Sequence, residues 1–162
     1  MIYGFSTFTW VHVALSLVGL ASGLVVVIGL LASKRLGGWT ALFLASTVAT
    51  SATGFGFAFE RFGAPHWVGV ISLAVLLLAI LARYVFRLDG AWRWIYAVGA
   101  VLGFYTNVFV AITEAFVRVP ALHAMAPTLA EPPFAIAQAG VLALFVVLAI
   151  AAAIKFHPSA AN

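Results

Sequence analysis

The chain has no cysteine, two methionines, and only eight basic and four acidic residues among 162. Without cysteine there are no disulfides, thiolate metal sites, cysteine-ligated iron–sulfur clusters or thioether-attached haem. Charged residues make up 7% of the chain, against about 25% in an ordinary soluble domain. Such a chain cannot cover its own surface for water, nor stay solvated as a disordered one. The net charge of +4 comes from basic residues scattered through apolar runs, which excludes the basic face of a nucleic-acid binder. The remainder is hydrophobic, 65% of all residues, and describes an integral membrane protein.

A membrane-crossing helix needs about 20 mostly apolar residues. Five stretches meet that length, at about 8–32, 39–59, 66–86, 92–116 and 134–156. Each is too long for a barrel strand of about 10 residues. The predicted fold is all-α: a single polytopic domain with five transmembrane helices in an up-down bundle. Gly37-Gly38, Gly63-Ala64-Pro65, Asp89-Gly90 and a proline-rich segment separate the runs. The first run lacks a basic leading region and exceeds a typical signal-peptide core, so it reads as a retained helix. The last connection, 117–133, is apolar and carries Pro120, Pro127, Pro132 and Pro133. It is expected to form a semi-rigid lid over the bundle mouth.

Lys34, Arg35, Arg83, Arg87, Arg93 and Lys155 all fall on one side of this alternation, with Asp89. Arg61 and Arg118 fall on the other, with Glu60, Glu114 and Glu131. The positive-inside rule then places the N-terminus outside and the C-terminus in the cytoplasm. Trp39, Trp92 and Trp94 mark the inner interface, and Trp10 and Trp67 the outer one. Arg83, Tyr84 and Arg87 read as anchors that snorkel to headgroups.

Two connections read alike, Arg35-Leu-Gly-Gly-Trp39 and Arg87-Leu-Asp-Gly-Ala-Trp92. His12 and His66 precede them at similar distances, and Glu60 and Glu114 follow at similar distances. A duplicated hairpin and a recurrent turn chemistry both explain this. Either way, His12 and His66 lie on parallel helices, about 13–15 Å outward of the helix midpoints, as does Glu114. His12, Ser16, Gly19 and Gly23 share one face of the first helix, and Gly19-x-x-x-Gly23 permits close helix contact. On the fourth helix Tyr96, Ala100, Gly103, Asn107, Ala111 and Glu114 form one stripe.

Ionisable groups in membrane helices point by default to function. Two imidazoles across a bundle suit the axial positions of a b-type haem, with His12, His66 and Asn107 as cofactor-binding candidates. Alternatively, His12, His66, His123, Glu60 and Glu114 would offer nitrogen and oxygen ligands to a divalent metal ion. Each residue also has a plain structural role: Glu114 with Arg118 as an i,i+4 pair, Glu60 beside Arg61 as a solvated pair, Asn107 as an interhelical hydrogen bond. A hydrogen bond from imidazole to a quinone is a further possibility. No serine lies in a G-x-S-x-G context.

The segments Asn107-Val-Phe-Val, Val119-Pro-Ala-Leu-His-Ala-Met-Ala-Pro-Thr128 and Glu131-Pro-Pro-Phe134 resemble small multi-pass inner-membrane proteins of bacteria. So does the histidine opening the first helix with its Leu-Ser and glycine-rich continuation. That group has no established activity, so the resemblance implies a bacterial inner-membrane location and no site residue. Three functions remain open. One is a His-containing cofactor, metal or ligand site near the outer face, with a redox role. The second is an accessory subunit docking on a membrane partner or a second copy. The third is a small transporter, although no midplane charge or inverted repeat supports it.

Overall fold

A computed structural model of the chain describes residues 7–57 and 63–158. Every regular element in them is helical: α1 (Thr7–Leu31), α2 (Gly37–Gly54), α3 (Ala64–Ile80), α4 (Trp92–Arg118), α5 (Pro120–Met125) and α6 (Pro132–Lys155). A π-turn, Leu81–Val85, continues α3. Four segments are long and apolar enough to cross a membrane: Thr7–Leu31, His66–Val85, Trp92–Arg118 and Pro132–Lys155. The fifth expected span, α2, has 18 residues and rises about 27 Å. It is close to sufficient in length but carries Ser46, Thr47, Thr50, Ser51 and Thr53, which lower its hydropathy below that of its neighbours.

Those hydroxyls are turned into protein. Ser46 donates to the Leu42 carbonyl at 2.7 Å and Thr53 to the Ala49 carbonyl at 2.7 Å. Hydroxyls bonded back to the preceding turn are satisfied inside their own helix. Ser51, Ser72 and Thr106 then form a chain across α2, α3 and α4, with Oγ–Oγ distances of 2.9 and 3.1 Å. Hydrocarbon offers no hydrogen-bond partner, so a polar helix fits a bilayer only with its polar face against other helices.

α1, α2, α3 and α4 pack in cyclic order, leaving α1 and α3 on one diagonal, as the alternation of helices implies. α6 lies in the groove between α4 and α1. The most apolar window of α4 is 50% buried, that of α6 11%, so α4 is the central helix and α6 the peripheral one. The core comprises Val26, Val27, Leu30, Phe43, Leu76, Tyr96, Val101 and Phe104, among others.

Small residues set the closest approaches. A Cβ at Gly23 would stand 2.6 Å from Phe104 Cδ2 and 3.0 Å from Phe43 Cε2. A Cβ at Gly19 would stand 2.8 Å from Asn107 Nδ2 and 3.2 Å from Thr47 Oγ1. The Gly19–Gly23 face is therefore where α1 meets both α2 and α4, as the spacing predicts.

The connections differ from expectation in detail. Gly37 and Gly38 lie in the first turn of α2; the left-handed residues are Ser33 and Leu36. Leu36 is held there by packing on Gly29, where a Cβ would meet Leu36 Cδ1 at 2.4 Å. The third connection does turn at Gly90, φ +50°, and is clamped by Phe86 stacked on Trp92, with centroids 3.8 Å apart. Only the α3–α4 hairpin contains a π-turn, so the two hairpins are not geometrically equivalent. The 117–133 segment is more ordered than a loop. Pro120 opens α5, which packs on α4.

Candidate functional site at the histidine end of the bundle

His12 lies on α1, half-buried, at the end of the bundle away from the α1–α2 and α3–α4 connections. Its Nδ1 stands 2.8 Å from Thr53 Oγ1 on α2. The Thr53 hydroxyl has one proton, which is aimed at Ala49 O at 2.7 Å and Thr50 O at 3.1 Å. With the hydroxyl proton on either carbonyl, Oγ1 accepts from His12 Nδ1–H, because a hydroxyl donates only once. In that arrangement the neutral ring leaves a lone pair on Nε2; with the hydroxyl proton donated to Nδ1 instead, the tautomer is reversed. Among the described residues Nε2 has no hydrogen-bond partner. Phe57 stands edge-on to the ring with centroids 5.0 Å apart. Gly54, where a Cβ would lie 3.9 Å from His12 Cε1, leaves the ring's flank uncrowded.

His66 is built differently. It is the third residue of α3, and its Nδ1 accepts the Gly63 backbone N–H at 3.1 Å. That bond occupies a backbone donor at the start of the helix. With Nδ1 as acceptor, the neutral ring carries its proton on Nε2. A metal-bound histidine normally uses Nε2 as ligand and donates from Nδ1. As held here, His66 has the opposite tautomer, whereas the contact with Thr53 admits the ligand tautomer of His12. Phe55 lies against the His66 ring with centroids 5.9 Å apart.

The other candidates take separate places. Asn107 is buried and donates from Nδ2 to Thr47 Oγ1 at 3.1 Å, an interhelical bond beneath Gly19. Glu114 is exposed and pairs with Arg118 one turn later. His123 is exposed on α5. Glu60 lies outside the described residues. Among the described residues no three histidine, aspartate or glutamate side chains gather as a metal-ligand group. Of the expected set of His12, His66, His123, Glu60 and Glu114, the four described residues come from four different helices, with Glu114 paired to Arg118 and His66 bonded to the Gly63 amide.

Sequence reading missed three functional-looking features. Thr53 was visible on the polar stripe of α2, but its pairing with His12 depends on how α1 and α2 rotate. Thr50, one turn deeper, has a buried hydroxyl oxygen without a partner among the described residues. Gln138 on α6 donates to Phe109 O at 3.1 Å and Thr113 Oγ1 at 3.3 Å, while its own Oε1 is buried without a partner.

No protein-family model matches the chain, and neither curated proteins nor solved structures give a match to it.

Proposed function

We propose that this is a multi-pass membrane protein that binds a small ligand or cofactor through His12 near the extracytoplasmic face. In this reading α2 is the fifth crossing helix, admitted to the bilayer because its hydroxyls face α1, α3 and α4. The surplus of basic residues at the α1–α2 and α3–α4 connections supports a cytoplasmic location for that end and an outward N-terminus. The resemblance noted above supports a bacterial inner membrane.

One observation carries the proposal: Thr53 Oγ1, bonded back to Ala49 O, stands 2.8 Å from His12 Nδ1, and with Nδ1 as the donor Nε2 is left as an acceptor or ligand atom. A second polar atom, the unpartnered Thr50 hydroxyl, lies one turn deeper on α2. The arrangement suits a group that donates a hydrogen bond to Nε2, such as the hydroxyl of a quinol headgroup, or a metal centre carried by a cofactor. A haem held by His12 and His66 together is less well supported, because the Gly63 N–H would have to release His66 Nδ1 first.

The test is protein purified from its native membrane extract, followed by an optical spectrum, elemental analysis and mass spectrometry of the organic extract. A co-purifying species lost in His12→Ala and kept in His66→Ala supports the proposal. Loss in both variants points to a two-histidine cofactor. A species unaffected by His12→Ala, or no species at all, overturns it.

A further inference from the structure

The opposite end of the bundle holds a cluster that the His12 site does not use. Arg83, in the π-turn after α3, bends inward: its Nη2 donates to the Arg35 backbone carbonyl at 3.0 Å. Its guanidinium carbon stands 5.2 Å from the centre of the Tyr96 ring. Tyr96 is fully buried, and its hydroxyl lies 3.1 Å from Thr40 Oγ1, which in turn lies 3.3 Å from the Arg35 carbonyl. The expected anchor thus reaches into the junction of α2, α3 and α4. π-turns re-aim side chains in this way and are frequent at functional sites.

Two guanidinium nitrogens in this cluster, Arg35 Nε and Arg83 Nη1, are buried without a partner. Among the described residues no carboxylate lies within ion-pair distance of either arginine, since the sole ion pair is Glu114 with Arg118. A buried charged donor left unmade is costly. What the neighbouring helices take from Arg35 is its backbone carbonyl, which accepts from Arg83 and Thr40, while its side chain makes no hydrogen bond to another described residue. A Cβ at Gly37 would have only Arg83 Nη2, the nitrogen bonded to the Arg35 carbonyl, within 4 Å.

We infer that Arg35 and Arg83 form a binding site for a phosphate-bearing anion at this end of the bundle. A planar guanidinium fork matches phosphate oxygens, and arginine charge at this end of the bundle complements a phosphate anion. The anion has two sources, the headgroup of an acidic lipid and a soluble phosphate. Basic pockets between membrane helices at headgroup level are suited to the first.

The experiment uses the full chain in bilayer discs of phosphatidylcholine, with and without phosphatidylglycerol, and separately with inorganic phosphate. Thermal unfolding and native mass spectrometry of retained lipid are the readouts. Phosphatidylglycerol is expected to raise the unfolding midpoint and to stay bound. Arg35→Gln should weaken that retention about fivefold, the effect of one charge near the surface, while Lys155→Gln, at the same end, leaves it unchanged. Stabilisation by inorganic phosphate alone, lost in Arg35→Gln, assigns the site to a soluble anion. Arg83→Lys keeps the charge but not the fork and should also weaken binding, which decides the matter if Arg35→Gln does not fold. Equal retention in wild type and both arginine variants, or equal loss in Lys155→Gln, overturns the inference.

Discussion

His12 Nδ1 and Thr53 Oγ1 lie 2.8 Å apart, and the threonine hydroxyl is already bonded back to Ala49. Two side chains 41 positions apart thus meet, and the Ala49 carbonyl, by taking the threonine proton, favours the Nδ1–H tautomer of the histidine. Thr53→Val keeps the shape and removes the acceptor. We expect a loss of about 1 kcal/mol in stability, the net worth of one hydrogen bond. The 15N spectrum of His12 should change from a single Nδ1-protonated form to a mixture of tautomers. An unchanged spectrum would remove the basis for a preset Nε2.

Close packing at Gly19 and Gly23 should be intolerant of any side chain. Gly23→Ala places a methyl group against the Phe104 and Phe43 rings, and Gly19→Ala places one against Asn107. Overpacking of this kind costs about 1–3 kcal/mol. Gly140→Ala on α6, where nothing lies within 4 Å, serves as the comparison and should show no loss. Unfolding in mixed detergent micelles measures all three.

Asn107→Leu removes the bond to Thr47. Interhelical hydrogen bonds in membranes average about 0.6 kcal/mol, and the larger side chain adds strain beneath Gly19. A loss above that average, partly recovered by Thr47→Val in the same chain, is expected in a double-mutant cycle. Strict additivity of the two changes would show that the pair does not interact.

The turn into α6 should respond to acid. Partial desolvation raises the Glu131 carboxyl, but bonds from the Thr128 hydroxyl and from the amides of Thr128, Ala130 and Glu131 itself outweigh this and hold it below the usual carboxylate range. The Thr128 hydroxyl lies 2.8 Å from Oε1. A depressed carboxyl contributes stability above its unfolded pKa, and that contribution is lost as the pH falls through the folded value. Amide protection at Thr128 and Ala130, corrected for intrinsic exchange, should therefore decline on acidification below the ordinary glutamate range. In Glu131→Gln the protection should be lower and independent of pH.

Much of this architecture was legible in the residues. Hydrophobic runs located the helices to within a few positions, because hydrocarbon demands long apolar segments with internally satisfied backbones. The buried stripe of α4, from Tyr96 through Ala100 and Gly103 to Asn107, follows from 3.6-residue periodicity and small side chains. Gly19 and Gly23 were readable as a contact for the same reason. The roles of individual polar groups were not. His66 and His12 look equivalent in spacing, yet one bonds its own helix start and the other a neighbouring helix. Arg83 reads as a lipid anchor by position, but the π-turn directs it inward over Tyr96.

The sequence by itself determined that the chain is helical and apolar, with segments long enough to cross a bilayer, since composition and run length dominate the free energy of burying a backbone in hydrocarbon. Tertiary structure alone decided which polar atoms meet. A rotation of one helix by a fraction of a turn exchanges a hydroxyl partner for a methyl group, and hydrophobic periodicity does not resolve rotations that small. The meeting of His12 with Thr53, and the guanidinium nitrogens of Arg35 and Arg83 left without partners among the described residues, are consequences of that rotation and of the π-turn.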